Sequence, residues 1–162
     1  MMLKARPRSW LSGDFDVYDR SGARLGGVDL SNWRERAELE ASGTLYEATH
    51  KAASKDFELS RQDGAIILRA EKPSAFRESL HFEHGGNDYE LRKESAWRRD
   101  FVLHRQGIGQ VGAVRPGGMF ERSWTADLPD ELPPEAKLFV MWLVALLWKR
   151  QNASAGAGGA GG

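Results

Sequence analysis

The sequence contains no cysteine among its 162 residues. This absence excludes disulfide bonds, thiol catalysis and cysteine-ligated metals, and it fits a reducing compartment. An excess of either charge is also lacking, because 23 Lys and Arg residues balance 23 Asp and Glu residues. We therefore expect no nucleic acid partner that depends on a strongly basic surface.

A secretory signal is lacking as well. The first residues, MMLKARPRSWLSGDF, carry positive charge but no apolar h-region follows it. We therefore expect a cytoplasmic location, either free or peripheral at the membrane. At this length we also expect one domain with a real core.

A long apolar run is present near the end of the chain, between Leu138 and Trp148, with no polar side chain inside it. A helix that is apolar on all sides is enclosed by protein or by lipid. Pro133 and Pro134 suit its first turn, and Lys149 and Arg150 suit the negative end of its dipole. Crossing a bilayer takes ~20 residues, whereas a run of ~10–14 favours a buried core helix. We predict a buried helix over about 134–150, with a membrane anchor as the alternative.

The rest of the chain consists of short alternating segments separated by turn residues. Phe57 and Leu59 alternate with charged or polar neighbours, and the following Gln62-Asp63-Gly64 indicates a hairpin. Residues 32–40 could instead form a short helix, although a strand is preferred. The predicted strands lie near Trp10 and at 15–17, 25–30, 34–40, 44–49, 56–60, 65–70, 80–82, 89–91, 100–104, 108–114 and 119–126.

About twelve strands at this spacing are typical of a closed or sandwiched all-β domain. A twelve-stranded barrel is too wide for its own side chains to fill, and the apolar helix is the element that can fill it. We predict a mainly β fold, an antiparallel β-barrel of about twelve strands closed around a central C-terminal helix. Residues 1–7 are predicted to be an N-terminal extension, 8–150 the barrel domain, and 151–162 a disordered Gly/Ala tail.

Three segments carry a family resemblance: YDRSGARLGG at 18–27, GQVGAVRPG at 109–117 and LFVMWLVALLWKR at 138–150. With this order of parts, the chain resembles the tubby C-terminal-like superfamily over roughly residues 8–150. That superfamily includes LURP-one-related proteins and phospholipid scramblases. The resemblance implies a twelve-stranded barrel around the C-terminal helix, and its motifs concern architecture more than activity. Tubby proteins bind phosphoinositides, but their basic motif has no residue-by-residue match here, so no site residue is carried over.

Two motifs suggest chemistry that their context does not support. Residues 107–112 satisfy G-x-G-x-x-G, but Pro116 and the adjoining glycines prevent the helix that a dinucleotide site needs. A glycine-loosened strand is the better interpretation. His81 and His84 face opposite sides of a strand, and His81 with Glu83 gives too few ligands for a metal. We therefore expect no catalytic residue, no metal and no cofactor.

An acidic segment precedes the helix, where scramblases have a calcium-binding segment. It lacks the spacing of carboxylates that wraps calcium, and Pro129, Pro133 and Pro134 stiffen it. We expect a solvated loop, with calcium as the alternative. Its acidic residues are Asp127, Asp130, Glu131 and Glu135.

Clustered basic residues are the remaining candidate for a ligand site. Each cation near anionic lipid contributes ~1 kcal/mol, so several are needed to hold a domain at a membrane. Alternatively, these are solvated charges balanced by Glu90, Glu94 and Asp100. The candidate anionic-lipid site consists of Arg92, Lys93, Trp97, Arg98 and Arg99.

These observations together predict a non-enzymatic binding or scaffold domain. Its ligand is expected to be an anionic lipid headgroup or a protein partner. The alternative is a scramblase-like lipid protein that uses its C-terminal helix as a membrane anchor.

Overall fold

The computed structural model describes residues 1–9, 11, 13–30, 35–73 and 78–159. Within them the chain forms twelve β-strands followed by one α-helix. The strands are β1 (Met2–Pro7), β2 (Phe15–Asp19), β3 (Arg24–Leu30), β4 (Arg36–Ala41), β5 (Thr44–Lys51), β6 (Asp56–Arg61), β7 (Ile66–Glu71), β8 (Ser79–His84), β9 (Asn87–Lys93), β10 (Phe101–Arg105), β11 (Gly109–Arg115) and β12 (Trp124–Asp127). The helix is α1 (Pro134–Gly159).

The strands close into an antiparallel barrel in which every strand pairs with its sequence neighbour, and β1 pairs with β12 to complete the circle. The predicted fold class is therefore confirmed. Alternation gives each strand an inner apolar face, as in β6, where Phe57 and Leu59 are buried. The strand preferred for residues 34–40 is confirmed by β4 for its residues from Arg36 onward, and residues 31–34 lie outside the described residues.

The prediction that residues 1–7 form an extension outside the barrel is wrong. Residues 2–7 are β1, the strand that joins β2 to β12. Leu3 and Ala5 point inward and are 1% and 0% exposed, while Lys4 between them is only partly buried. This short alternation lies among basic residues, which is why it was not recognised. The strand predicted near Trp10 falls on a residue outside the described part of the chain.

The barrel is filled by α1. Every residue from Leu138 to Val144 is 0% exposed, and Trp142 packs against Phe57 and Phe139 with ring centroids 5.9 and 5.7 Å apart. Close packing of α1 on β3 depends on Gly26, because a Cβ there would lie 2.8 Å from Leu138 Cδ1. The predicted buried helix is therefore confirmed. In the described ranges, no helix is long and apolar enough to cross a membrane.

The helix continues beyond the predicted end at Arg150 and reaches Gly159. The predicted boundary and the disorder of residues 151–159 are therefore corrected. Alanine has the highest helix propensity, and extending an existing helix needs no new nucleus, so this segment can stay helical. Because the helix does not end there, Lys149 and Arg150 do not lie at its negative end. Residues 160–162 lie outside the described part.

Because the strands are antiparallel, their connections alternate between the two ends of the barrel. We call them the hairpin end, where α1 begins, and the long-loop end, where the buried part of α1 emerges. At the long-loop end, Trp148 Nε1 donates a hydrogen bond of 2.7 Å to the backbone oxygen of Arg99. The connections at the hairpin end are 20–23, 42–43, 62–65, 85–86, 106–108 and 128–133. Those at the long-loop end are 8–14, 31–35, 52–55, 72–78, 94–100 and 116–123.

Candidate functional site

The long-loop end carries the most exposed apolar side chains of the described residues. Four large apolar side chains are more than nine-tenths exposed: Leu11 at 99%, Trp97 at 96%, Met119 at 94% and Phe120 at 95%. They lie in the loops 8–14, 94–100 and 116–123. Because β9, β10, β11, β12, β1 and β2 are consecutive around the barrel, these three loops are neighbours on the rim. We call these four side chains the apolar rim.

The fold thus gathers on one side of the rim residues that are far apart in sequence. Single exposed apolar residues are normal on a protein surface, whereas a group of them bordered by polar residues marks an interaction site. The sequence predicted a strand over 119–126, but residues 119–123 belong to the loop before β12. Met119 and Phe120 were therefore missed, although an apolar pair directly after Pro116-Gly117-Gly118 was a signal for an exposed loop tip.

The predicted lipid-site residues divide between this rim and the barrel wall. Trp97, Arg98 and Arg99 lie in loop 94–100, where Trp97 belongs to the apolar rim and the two arginines follow it, and all three are exposed. Arg92 and Lys93 instead end β9. Three of the five predicted residues therefore lie together on one loop, and the other two lie at the end of a strand.

Acidic neighbours partly balance these cations, as the alternative interpretation expected. Arg92 lies 3.3 Å from Glu90 and its guanidinium is 3.1 Å from His104 Nε2. Arg98 lies 3.5 Å from Glu94. The Lys93 ammonium is 4.0 Å from Glu78, and Asp100 lies 3.5 Å from Arg115.

Arg99 differs from the other candidate cations because its contact is aromatic. Its guanidinium carbon lies 5.6 Å from the centroid of the Trp148 ring, and Trp148 donates to its backbone oxygen. Within the described ranges, no carboxylate contacts the Arg99 guanidinium. This pair of contacts ties loop 94–100 to α1 and leaves an exposed cation next to an indole.

Below the rim is a cleft of about 580 Å³ beside the emerging helix. Its floor is apolar and comes mainly from α1, through Trp142, Ala145, Leu146 and Trp148. Its border is polar and predominantly cationic. The border residues are Glu35, Arg36, Arg99, Lys149, Arg150 and Asn152. We call this feature the helix-exit cleft.

A compact ion cluster at the cleft border fixes α1 to the barrel. Arg150 donates to Glu35 through Nε at 2.7 Å and through a terminal nitrogen at 2.5 Å, and His50 Nδ1 lies 2.5 Å from the same carboxylate. Hydrogen bonding from Arg150 holds the pKa of Glu35 below its ordinary value, against the opposing effect of burial. Both Arg150 and the His50 ring stack on Phe57.

The acidic segment before α1 lies at the opposite, hairpin end, and it is engaged in ion pairs. The amino group of Met1 lies 3.3 Å from Asp127 and 3.2 Å from Asp130. Glu131 lies 3.4 Å from Arg105 and accepts a hydrogen bond of 3.4 Å from Tyr89. In the described part of the chain, no group of three or more His, Asp or Glu side chains is arranged to hold a metal.

The remaining motifs occupy structural positions. Gly107 in the β10–β11 turn and Gly109 at the start of β11 have positive φ. Gly112 lies farther along β11, where a Cβ would be 2.6 Å from the Asp127 backbone oxygen. The glycine-loosened strand is therefore confirmed. His81 is exposed on β8 and lies 3.2 Å from Glu90.

Comparison with known proteins supports the fold alone. No protein-family model matches the chain, and no curated protein matches its sequence. The X-ray structure of an Arabidopsis thaliana protein is similar, with a TM-score of 0.57 and 17% sequence identity over 93% of this chain and 91% of that chain. At this identity the similarity extends to the barrel and its helix.

Proposed function

We propose that the chain is a non-enzymatic domain that binds the surface of an anionic membrane through its long-loop end. The carrying observation is the apolar rim, four almost fully exposed side chains on three neighbouring loops. Arg98, Arg99 and Arg122 belong to the same loops. We propose that the resemblance to the tubby-like superfamily is genuine, and it supports a lipid as the ligand.

The two kinds of side chain would act on different layers of the bilayer. Tryptophan is favoured at the level of lipid headgroups, and Met119 and Phe120 can reach the boundary of the acyl chains. Each cation near anionic lipid adds ~1 kcal/mol, and apolar burial contributes ~25 cal/mol per Å². Neither term alone gives stable attachment, because peripheral binding usually needs two signals.

Docking through the loops leaves α1 in its place. The seven residues from Leu138 to Val144 are fully buried in the barrel, so inserting the helix into lipid would require the barrel to open. We therefore prefer loop docking to the scramblase-like anchor. A protein partner for the same apolar rim is the competing outcome of the test below.

Vesicle cosedimentation at low salt tests this proposal. We expect binding to phosphatidylcholine vesicles that contain phosphatidylserine, weak binding to pure phosphatidylcholine, and loss of binding as salt screens the exposed charges. Replacing Trp97, Met119 and Phe120 together with Ser should weaken binding at least about tenfold, because a buried large apolar side chain contributes ~1.5–3 kcal/mol. The double variant Arg98→Gln/Arg99→Gln should weaken it and reduce its salt dependence.

The matched control replaces two exposed isoleucines away from the rim, Ile66 at 50% and Ile108 at 63% exposure, with Ser. Both lie toward the hairpin end, so this variant should bind as the wild type does. Equal binding of the rim variant and the control would overturn the proposal. Negligible binding of the wild type to anionic vesicles would also overturn it, and would favour a protein partner.

A further inference from the structure

We infer that the helix-exit cleft binds a single-chain anionic amphiphile, such as a fatty carboxylate or a lysophosphate. The acyl chain would lie on the floor formed by α1, and the anionic head would meet Arg99 and Lys149. This inference does not depend on membrane docking. Its cleft is a concave site beside the helix, whereas the apolar rim consists of protruding loop residues.

The floor of the cleft matches an acyl chain. Ala145 is partly exposed, and Leu146 and Trp148 are 7% and 8% exposed, so these three side chains present the apolar surface of the cleft, while Trp142 is fully buried beneath them. A volume of about 580 Å³ falls within the ~300–1,000 Å³ of typical ligand sites, which are mostly apolar with a few placed polar groups. A headgroup alone would leave this apolar floor uncovered.

The charges at the border select the sign of the head. Glu35 is the one carboxylate among the described lining residues, and it is occupied by Arg150 and His50. Arg36 is paired with Glu47, outside the cleft. Its charge is therefore already compensated.

Two cations of the border are left to receive a ligand. The guanidinium of Arg99 lies over the face of the Trp148 ring, and Lys149 has no ion pair within the described ranges. Both residues line the helix-exit cleft, as does Trp148. An anionic head above Trp148 would therefore be within reach of two compensating charges, while a cationic head at that position would be repelled by both.

Isothermal titration calorimetry with soluble twelve-carbon probes, each below its critical micelle concentration, tests this inference on the full chain. The probes are dodecanoate, twelve-carbon lysophosphatidic acid, dodecyl maltoside and dodecyltrimethylammonium. We expect one saturable site for at least one anionic probe and weaker or no binding of the neutral and cationic probes. Preference between the two anions identifies a carboxylate or a phosphate as the head. Absence of saturable binding by both anions, or equal binding of all four probes, overturns the inference.

Variants locate the bound probe. Ala145→Phe fills the cleft and should abolish binding without lowering the Tm, and Ala23→Phe, on an exposed alanine at the hairpin end, is the matched control. Arg99→Gln and Lys149→Gln should each lower the affinity about tenfold, because hydrogen bonds to charged groups are lost. If Ala145→Phe does not fold, Lys149→Glu tests the head alone, since Lys149 is exposed. Wild-type affinity in any folded cleft variant contradicts the assignment.

The Trp97, Met119 and Phe120 triple variant separates this inference from the proposed function. It should lose vesicle binding and keep binding of the soluble anionic probe. Ala145→Phe should do the reverse. Loss of both activities in the folded triple variant would show that the cleft is not an independent site and would overturn the inference.

Discussion

At the residue scale, exposure gives two of the described tryptophans different roles. Trp142 is fully buried against Phe57 and Phe139, whereas Trp97 is 96% exposed on a loop. The same indole is therefore core filling at one position and a candidate lipid contact at the other. Aromatic composition alone does not distinguish these roles, because both residues adjoin apolar or basic neighbours in sequence.

Replacing each of these tryptophans with Ala should separate the two roles. Trp142→Ala leaves a cavity in a core that cannot collapse around it, and the free energy of unfolding should fall by ~3–5 kcal/mol. Trp97→Ala removes an exposed side chain and should change it by no more than ~0.5 kcal/mol. Urea denaturation followed by circular dichroism measures both. Similar losses in the two variants would contradict the barrel-filling role of the helix.

At the element scale, the ion cluster of Arg150, Glu35 and His50 holds α1 where it leaves the barrel, and low pH should weaken this cluster. Arg150 and His50 contact Glu35, and Glu35 has a pKa below its ordinary value of 4.5. A lowered pKa in the folded state means that the ion pair stabilises the fold at pH values above about 4.5. That contribution is lost as the pH falls below 4.5 through the pKa of the folded state.

Glu35→Gln should therefore lower the Tm at pH 6, and its difference from the wild type should shrink as the pH falls from about 5 to 3. Glu71→Gln, at an exposed carboxylate of β7, is the control and should show a smaller difference. Differential scanning calorimetry across this range measures both. A difference that grows toward pH 3 would contradict the assigned direction of the Glu35 pKa.

At the scale of the whole molecule, the barrel depends on its first strand for closure. β1 pairs with both β2 and β12, so removing it leaves two strand edges with unsatisfied backbone groups and opens the core around Trp124 and Ala126. The pairing of β1 with β12 joins the first strand to the last. It therefore stabilises the circle and not any local hairpin.

Deletion of residues 1–7 should abolish cooperative unfolding. It removes the pairing of β1 with both of its neighbours and the buried side chains of Leu3 and Ala5. The stabilising free energy lost is then comparable to a typical total stability of ~5–15 kcal/mol. Near-ultraviolet circular dichroism and a thermal scan measure it. The control deletes residues 153–162, whose described side chains are exposed, and should leave the Tm unchanged. A wild-type Tm after the first deletion would show that β1 is dispensable for closure.

Local sequence patterns predicted much of the architecture. Alternation in segments such as 56–60, the Gln62-Asp63-Gly64 turn and the apolar run from Leu138 depend on near neighbours, and the structure has strands, a hairpin and a buried helix there. Part of the candidate site could also be predicted, since Trp97, Arg98 and Arg99 are consecutive in the sequence. The other members of the apolar rim could not be predicted, because no local pattern relates Trp97 to Phe120 or to Leu11.

By itself, the sequence determined which segments can be strands, that the terminal helix must be enclosed, and that thiol chemistry is absent. Those properties follow from side-chain periodicity, apolar length and residue type. Tertiary structure alone decided that β1 closes the barrel, that three distant loops form one apolar rim, and that Arg99 meets Trp148 above the helix-exit cleft. These features depend on the pairing of β1 with β12, which closes the circle, and on contacts between α1 and the loops, and no single segment encodes either.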